Sequence, residues 1–523
     1  MNNNKKLSNV ASALTCAETK KHNNRFFLQL FLELVPLVLK YKMFINGEWV
    51  ESDSGETFSR VNPANPDEVL GEFQKGNADD AKTAVDAAED AFDEWAETPP
   101  PKRAEYLFKL ARLLEEQKEE LSTIMTREMG KTLPDSRADV QEAIDVAYCV
   151  AAEGRMLLGH TTTSEKKNKF SMTIKLPMGV AGLITPWNFP IAIPARKALY
   201  ALVCGNTAVL KPASDTPLCA IKLIELLQQT GIPAGVVNLV TGPGETAGMT
   251  LVKDPRVRVI SFTGQKDTGA TILREAGLKR VNLELGGKNP IIVMDDADLN
   301  LAANGAVWGG YETTGQRCTA ASRVIVHEKV KDTFEKLFLE QIRKLRVGNG
   351  LDPDVDIGPL VNKAAQEKTM RYCEIGRNEG AKLVAGGGVP SGLKGWFFEP
   401  TLFTDCFRDM RVAREEIFGP VVCLLSAKDL DDAIDIANSV EYGLSSAIYT
   451  RSISNAFVAA RKLQAGLTYV NSPTIGSEAH LPFGGVKHSG NTREGGPDGT
   501  AEFTELKTVY VDFSGTLQKA FVG

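Results

Sequence analysis

Four short segments of this 523-residue chain hold residues whose types and setting could do covalent chemistry. In Gly315-Gln-Arg-Cys-Thr319, Cys318 stands between a glycine-containing loop and the expected start of a helix or strand. Arg317 beside it and a helix N-terminus would both favour thiolate, the nucleophilic form. In Thr185-Pro-Trp-Asn-Phe-Pro190, two prolines fix the backbone around Asn188, whose amide becomes an oriented N–H donor for a developing oxyanion. In Glu284-Leu-Gly-Gly-Lys-Asn-Pro290, a carboxylate stands beside a double glycine, as a base that must swing would need. The fourth feature is a pair of glycine turns that each follow a strand and lead into a helix: Val240-Thr-Gly-Pro-Gly-Glu-Thr-Ala-Gly248 and Ser261-Phe-Thr-Gly-Gln-Lys-Asp-Thr-Gly269. Such turns present free N–H groups and a helix dipole to a pyrophosphate, although neither is GxGxxG. Alone, each segment has an ordinary reading: an inert core cysteine, an asparagine or glycine shaping a turn, a solvated glutamate.

The elements that must position these residues are legible from periodicity. Asp79 to Leu121 reads as helical, broken into two helices at Pro99–Pro101. From Val180, short apolar segments (Val180–Ile184, Thr207–Leu210, Val236–Val240, Val259–Phe262) alternate with helical stretches (Ala220–Gln229, Ala247–Lys253), the texture of a parallel sheet with crossover helices. A second series runs from Pro290 to about Val470 through Ile291–Met294, Val324–His327 and Val421–Leu425. Thr161–Lys175 alternates polar and apolar residues and could pair with Lys507–Phe513 in a detached sheet whose edges a partner subunit would cover. The fold class expected is therefore α/β, with two open α/β domains.

Composition narrows the function. The length calls for two or three domains, and 43 % apolar with 24 % charged residues is a globular profile. A net charge of −6 offers no field for a nucleic-acid backbone. Eight scattered cysteines without CxxC spacing, and five histidines without HExxH, argue against disulfides and metal, so a reducing, cytoplasmic setting and no metal are expected. Residues 1–42 form an Asn/Lys-rich extension with an apolar run, Phe26–Leu39, too short to span a bilayer. It reads as a dispensable, poorly ordered extension or an early start, with Met43 the functional beginning; the alternative is a surface helix carrying Phe26, Phe27, Leu30, Phe31 and Leu34.

Taken in order, these segments resemble the aldehyde dehydrogenase superfamily over about residues 43 to 513. The resemblance is carried by Phe44-Ile-Asn-Gly-Glu-Trp49, Pro186-Trp-Asn-Phe-Pro190, Lys211-Pro-Ala-Ser214, Glu284-Leu-Gly-Gly-Lys288, Gly315-Gln-Arg-Cys318, Glu416-Ile-Phe-Gly-Pro420 and Pro482-Phe-Gly-Gly485. It implies a Rossmann-like cofactor domain from residues 43–160 and 178–283, a catalytic domain from 284–490, and a β oligomerisation unit from 161–177 and 500–515, in a homodimer or homotetramer. It also implies that Cys318 is the nucleophile, Asn188 and the Cys318 N–H the oxyanion hole, Glu284 the base, and Glu494 a second glutamate for proton relay. For the cofactor, NADP or NAD, it implies contacts by Trp187, Lys211, Ser214, Gly242, Gly264, Gln265, Gly269, Glu416 and Phe418. Lys211 and Glu416 would take the ribose hydroxyls, and Phe418 the nicotinamide. A thiohemiacetal at Cys318 would lose hydride and leave a thioester for Glu284-activated water. Many relatives have Ser where this chain has Gln265, and the family's GxxxxG is here Gly264 to Gly269.

Two departures bear on specificity. Ser214 stands where NAD-preferring relatives often have a glutamate that repels a 2′-phosphate, so NADP should be accepted. Arg196, eight residues after Asn188, lines the family's aldehyde tunnel together with Phe189, and Arg317 could add a second contact. A buried guanidinium left unpaired costs roughly 1–3 kcal/mol, so a carboxylate-bearing substrate is expected, succinate semialdehyde first. The other reading of Arg196 is a pair with an internal acid. Succinate-semialdehyde enzymes carry a further arginine where this chain has Glu312. The alternatives are an aldehyde dehydrogenase of broad specificity, a coenzyme-A-acylating relative, against which Glu284 argues, and a non-catalytic structural relative.

Overall fold

The structure is a computed structural model that describes residues 38–519; the apolar run of the N-terminal extension, apart from Val38 and Leu39, lies outside the described residues. Strands Val180–Ile184, Thr207–Lys211 and Asn289–Val293 are buried along their whole length. Near-continuous apolar runs of this kind belong to parallel sheets covered on both faces. They nucleate two sheets of seven strands each. In the first, the order is Arg280–Glu284, Val257–Thr263, Val180–Ile184, Thr207–Lys211, Val237–Leu239, Met43–Ile45 and Glu48–Val50. The first five strands run parallel, and the N-terminal hairpin closes the edge antiparallel.

The second sheet orders Lys382–Ala385, Thr401–Thr404, Val421–Ala427, Ala321–His327, Asn289–Val293, Ser445–Tyr449 and Leu467–Val470, parallel except at its first pair. The third sheet pairs Thr161–Thr163, Lys169–Pro177 and Thr504–Asp512 antiparallel, with Thr508 opposite Thr173. Its tail strand starts only at Thr504, because helix Gly496–Glu502 occupies the preceding residues.

The helical region is cut more finely than proline alone dictates. Helices Ala78–Asp90, Phe92–Glu97, Pro100–Glu116 and Lys118–Met129 replace the two that were expected. Asn77 opens the first with a capping box closed by Asp80. Gly130, at φ +97°, ends the last, and a Cβ there would meet the Pro359 ring at 2.7 Å. Helix Leu133–Glu153 comes next and packs against helix Ala192–Val203, which begins just after the Asn188 loop.

Candidate active site

Cys318 lies where two cavities meet. One, of about 620 Å³, is lined by Cys318, Glu284, Glu494, Arg196, Arg317 and Phe189. The other, of about 450 Å³, is lined by Cys318, Asn188, Trp187, Gly264, Gln265, Glu416 and Phe418. Besides Cys318, Thr263 and Leu285 face both. Residues 130 positions apart in the chain converge because strands Val180–Ile184 and Arg280–Glu284 end, and Ala321–His327 begins, on the same side of the site.

The loop before Cys318 is held in a conformation its sequence would not choose. Thr313 and Thr314 both have positive φ, 53° and 61°, which is strained for β-branched residues and persists only where the surroundings over-determine it. Thr314 Oγ1 donates to Gly358 O at 3.0 Å, and Arg317 Nε donates to Thr313 Oγ1 at 2.9 Å. The Gln316 amide accepts from Val361 N at 3.0 Å and donates to Pro359 O. Asn289 Nδ2 donates to both Cys318 O, at 2.8 Å, and Ala320 O. Asn188 Nδ2 donates to Gln316 O at 3.1 Å, so one amide proton locks the loop and the other remains for a ligand.

The expected thiolate activation is not found in this state. Cys318 leads into a short loop and then the strand Ala321–His327, so no helix N-terminus points at the sulfur. Arg317 turns away: its guanidinium lies 3.3 Å from both Asp135 and Glu312 and against the Phe189 ring. Burial, then the carboxylates of Glu284, Glu416 and Glu142, push the Cys318 thiol up to about 12. The resting sulfur is a neutral thiol.

Glu284 closes strand Arg280–Glu284 with both carboxylate oxygens buried and without a hydrogen-bond partner. Burial, with Glu494 and Glu502 nearby, holds its pKa well above the usual carboxylate range. Glu494 is also buried but differs: its carboxylate meets the Lys197 ammonium, which donates on to Ser261 Oγ at 2.8 Å. Glu416 accepts the Gly287 N–H at 2.8 Å, and burial raises its pKa. Phe418, at φ +60°, meets Trp187 edge-on with centroids 5.4 Å apart.

Four expected cofactor residues line neither cavity. Lys211 ends its strand buried, and burial lowers its pKa to about 8 against the opposing pull of Asp215. Ser214 Oγ donates to Gly242 O at 3.0 Å, tying the lysine loop to the first glycine turn. Gly269 lies inside helix Lys266–Glu275, where a Cβ would meet the Leu285 side chain at 2.7 Å; its lack of a side chain serves helix packing.

Sequence reasoning missed a stripe of acids. Asp135, Asp139 and Glu142 sit at i, i+4 and i+7 on helix Leu133–Glu153, on one face. Asp135 takes Arg317, Asp139 takes Lys131 at 2.8 Å and the Ala192 N–H at 2.8 Å, and Glu142 takes Arg196. The signal was present as three acids at helical spacing, one of them matched by Arg196 in an otherwise apolar helix. Lys368, in the second cavity, carried no such signal. Among the described residues there is no cluster suited to a metal ion and no helix long and apolar enough to cross a membrane.

The chain has relatives among known proteins. The chain is 45 % identical over 476 residues to an alpha-ketoglutarate semialdehyde dehydrogenase of Haloferax volcanii, covering 90 % of this chain and 98 % of that one. It is 45 % identical over 471 residues to a 2,5-dioxopentanoate dehydrogenase of Saccharolobus solfataricus, covering 88 % and 98 %. The crystal structure of an NAD-dependent aldehyde dehydrogenase from Sinorhizobium meliloti superposes with a TM-score of 0.90 at 38 % identity, covering 92 % and 96 %. Residues 49–509 match the model of the aldehyde dehydrogenase family. With a cysteine at the meeting of two cavities and that match over most of its length, the chain belongs to the aldehyde dehydrogenase family.

Proposed function

We propose that the chain oxidises a carboxylate-bearing semialdehyde to the acid with NAD or NADP, and that 2,5-dioxopentanoate takes the place of succinate semialdehyde as first candidate. The observation that carries the reading is the meeting of the two cavities at Cys318, one able to hold an aldehyde and the other a nicotinamide. The names of the two relatives supply the substrate.

The second cavity fits the nicotinamide half of a dinucleotide. Gly286 leaves space where a Cβ would lie 2.3 Å from the Glu416 carboxylate, and the Thr263 hydroxyl is buried without a partner. Glu416, Phe418, Trp187 and Gln265 would hold the nicotinamide half, and Lys211, Ser214 and the Gly242 and Gly264 segments, beyond the cavity lining except for Gly264, the adenosine half; Gly269 serves helix packing and is not kept as a contact. A bound nicotinamide supplies the acceptor for the hydride that leaves the thiohemiacetal carbon. The Cys318 thiol gives its proton to water in the cavity as Sγ adds to the aldehyde carbon, and the free Asn188 N–H and the Cys318 backbone N–H stabilise the oxyanion. After oxidation, Glu284 takes a proton from water, which attacks the thioester; acid leaves and the thiol is restored. Glu494 is proposed to relay that proton, with Lys197 fixing its carboxylate. Ser214 favours acceptance of NADP beside NAD.

The division into a cofactor domain (43–160, 178–283) and a catalytic domain (284–490) follows the two large sheets. The third sheet is proposed to join subunits of a homo-oligomer, since Leu506, Tyr510 and Phe170 are exposed on it. A cytoplasmic location rests on the free thiols.

A second reading has its own observation. Six carboxylates line the aldehyde-side cavity against two arginines, and both arginines already have acid partners. That favours an uncharged aldehyde. Steady-state kinetics with 2,5-dioxopentanoate, succinate semialdehyde, pentanal and hexanal, each with NAD and NADP, separate the two. A higher kcat/KM for hexanal removes the carboxylate reading.

A further inference from the structure

Among the described residues, Arg196 is the one guanidinium that both lines the aldehyde-side cavity and keeps an unmade bond. Its side chain is 6 % exposed, its Nη2 meets Glu142 Oε1, and its Nε is buried without a partner. The Phe483 ring, 5.3 Å from the guanidinium carbon, limits rotation of the plane. Glu142 therefore grips with one oxygen a fork that could bind a carboxylate with two.

The three acids of helix Leu133–Glu153 are not equally fixed. Asp139 and Asp135 have side chains 0 % and 4 % exposed, each locked to a cation. Glu142 is 24 % exposed on the cavity wall, with only a long contact, 3.4 Å, from Ser477 Oγ besides Arg196. A carboxylate that loses Arg196 there can be taken up by water in the cavity at small cost, whereas the other two could not.

We infer that Glu142 is a specificity-determining residue: a built-in, displaceable counter-ion that holds the Arg196 fork until the far carboxylate of the substrate replaces it. This rests on the carboxylated-semialdehyde reading above. Glu142 keeps the buried guanidinium paired in the empty enzyme and sets the threshold an incoming carboxylate must exceed. A substrate carboxylate makes both the Nε and the Nη2 bonds, and a neutral aldehyde leaves the pair closed. Substrates with and without the charge then differ in KM more than in kcat, because the exchange is made on the far carboxylate and not on the reacting carbon.

The test uses the full-length enzyme and the variants Glu142→Gln and Glu142→Ala, with kcat and KM for 2,5-dioxopentanoate and pentanal at saturating NAD(P). Binding of glutarate, an unreactive dicarboxylate, is measured by calorimetry, and thermal melts establish that the variants are folded. Removing the internal competitor is expected to lower KM for 2,5-dioxopentanoate about fivefold and to tighten glutarate by a similar factor. The pentanal KM should stay within about twofold, and any change in kcat, since Glu142 also acts on the Cys318 thiol, should be the same for both aldehydes. Unchanged or raised KM for 2,5-dioxopentanoate overturns the inference. A wild-type enzyme that prefers pentanal removes the substrate reading instead; the counter-ion is then judged on glutarate alone, standing if binding tightens and falling if it does not.

Discussion

The two sides of Cys318 solve the problem of buried charge in opposite ways. On the aldehyde side, Arg196, Arg317 and Lys197 each meet a carboxylate, and Lys131 does so directly behind the wall. On the cofactor side, Lys211, Lys368 and Thr263 have no acid or acceptor in contact among the described residues, and burial drives both lysines toward the neutral form. The cofactor side leaves its donors unspent, whereas the aldehyde side keeps its cations paired with internal acids that a charged ligand would have to displace. Glu284 belongs to neither pattern. It is an unpaired acid on the paired side, buried and with its pKa held well above the usual carboxylate range.

The comparison breaks most sharply at the sulfur. Cys318→Ser should lower kcat by at least ~10⁴-fold while cofactor binding, read by fluorescence, is retained; a loss below tenfold would place the chemistry elsewhere. Asn188→Ala should cost ~10²–10³ in kcat, as the removal of one oxyanion donor does. Glu284→Gln should slow steady-state turnover ~10²-fold and leave a stoichiometric burst of reduced cofactor, because the step it removes comes after hydride loss. It should also sharpen the resting-state picture. Glu284 pushes the Cys318 thiol up, so in the variant alkylation of Cys318 by iodoacetamide should move to lower pH; a shift to higher pH would make Glu284 the base for the thiol. The wild-type deacylation rate should rise with pH, since a carboxyl held well above its ordinary range gains its basic form only as pH increases through that raised pKa. The smallest effect is expected at Ser214→Glu, which should shift preference from NADP toward NAD about tenfold in kcat/KM, by placing a charge opposite a 2′-phosphate.

Much of the site was readable in advance because its residues sit in segments with strong local grammar. Prolines at 186 and 190 fence Asn188, a strand ends at Glu284, and glycine turns come after strands. What the sequence misjudged was charge. Arg317 next to Cys318 suggested an activated thiolate, yet its guanidinium is spent on Asp135, 182 residues earlier. For Arg196 the fold supplies the internal acid, Glu142, that the sequence offered as the other reading, and still leaves its Nε without a partner. The helix breaks at Ala91 and Gln117 were equally unreadable, because neither residue is a breaker by itself.

The sequence alone determined the α/β class, the strand series and the family. These depend on periodicity, turn chemistry and ordered motifs, all encoded within a few residues of each site. Only the tertiary structure decided which charges are free. Pairing is a contact between helices far apart in the chain, and whether a guanidinium awaits a ligand or already holds an acid depends on what the folded core places within about 3 Å of it.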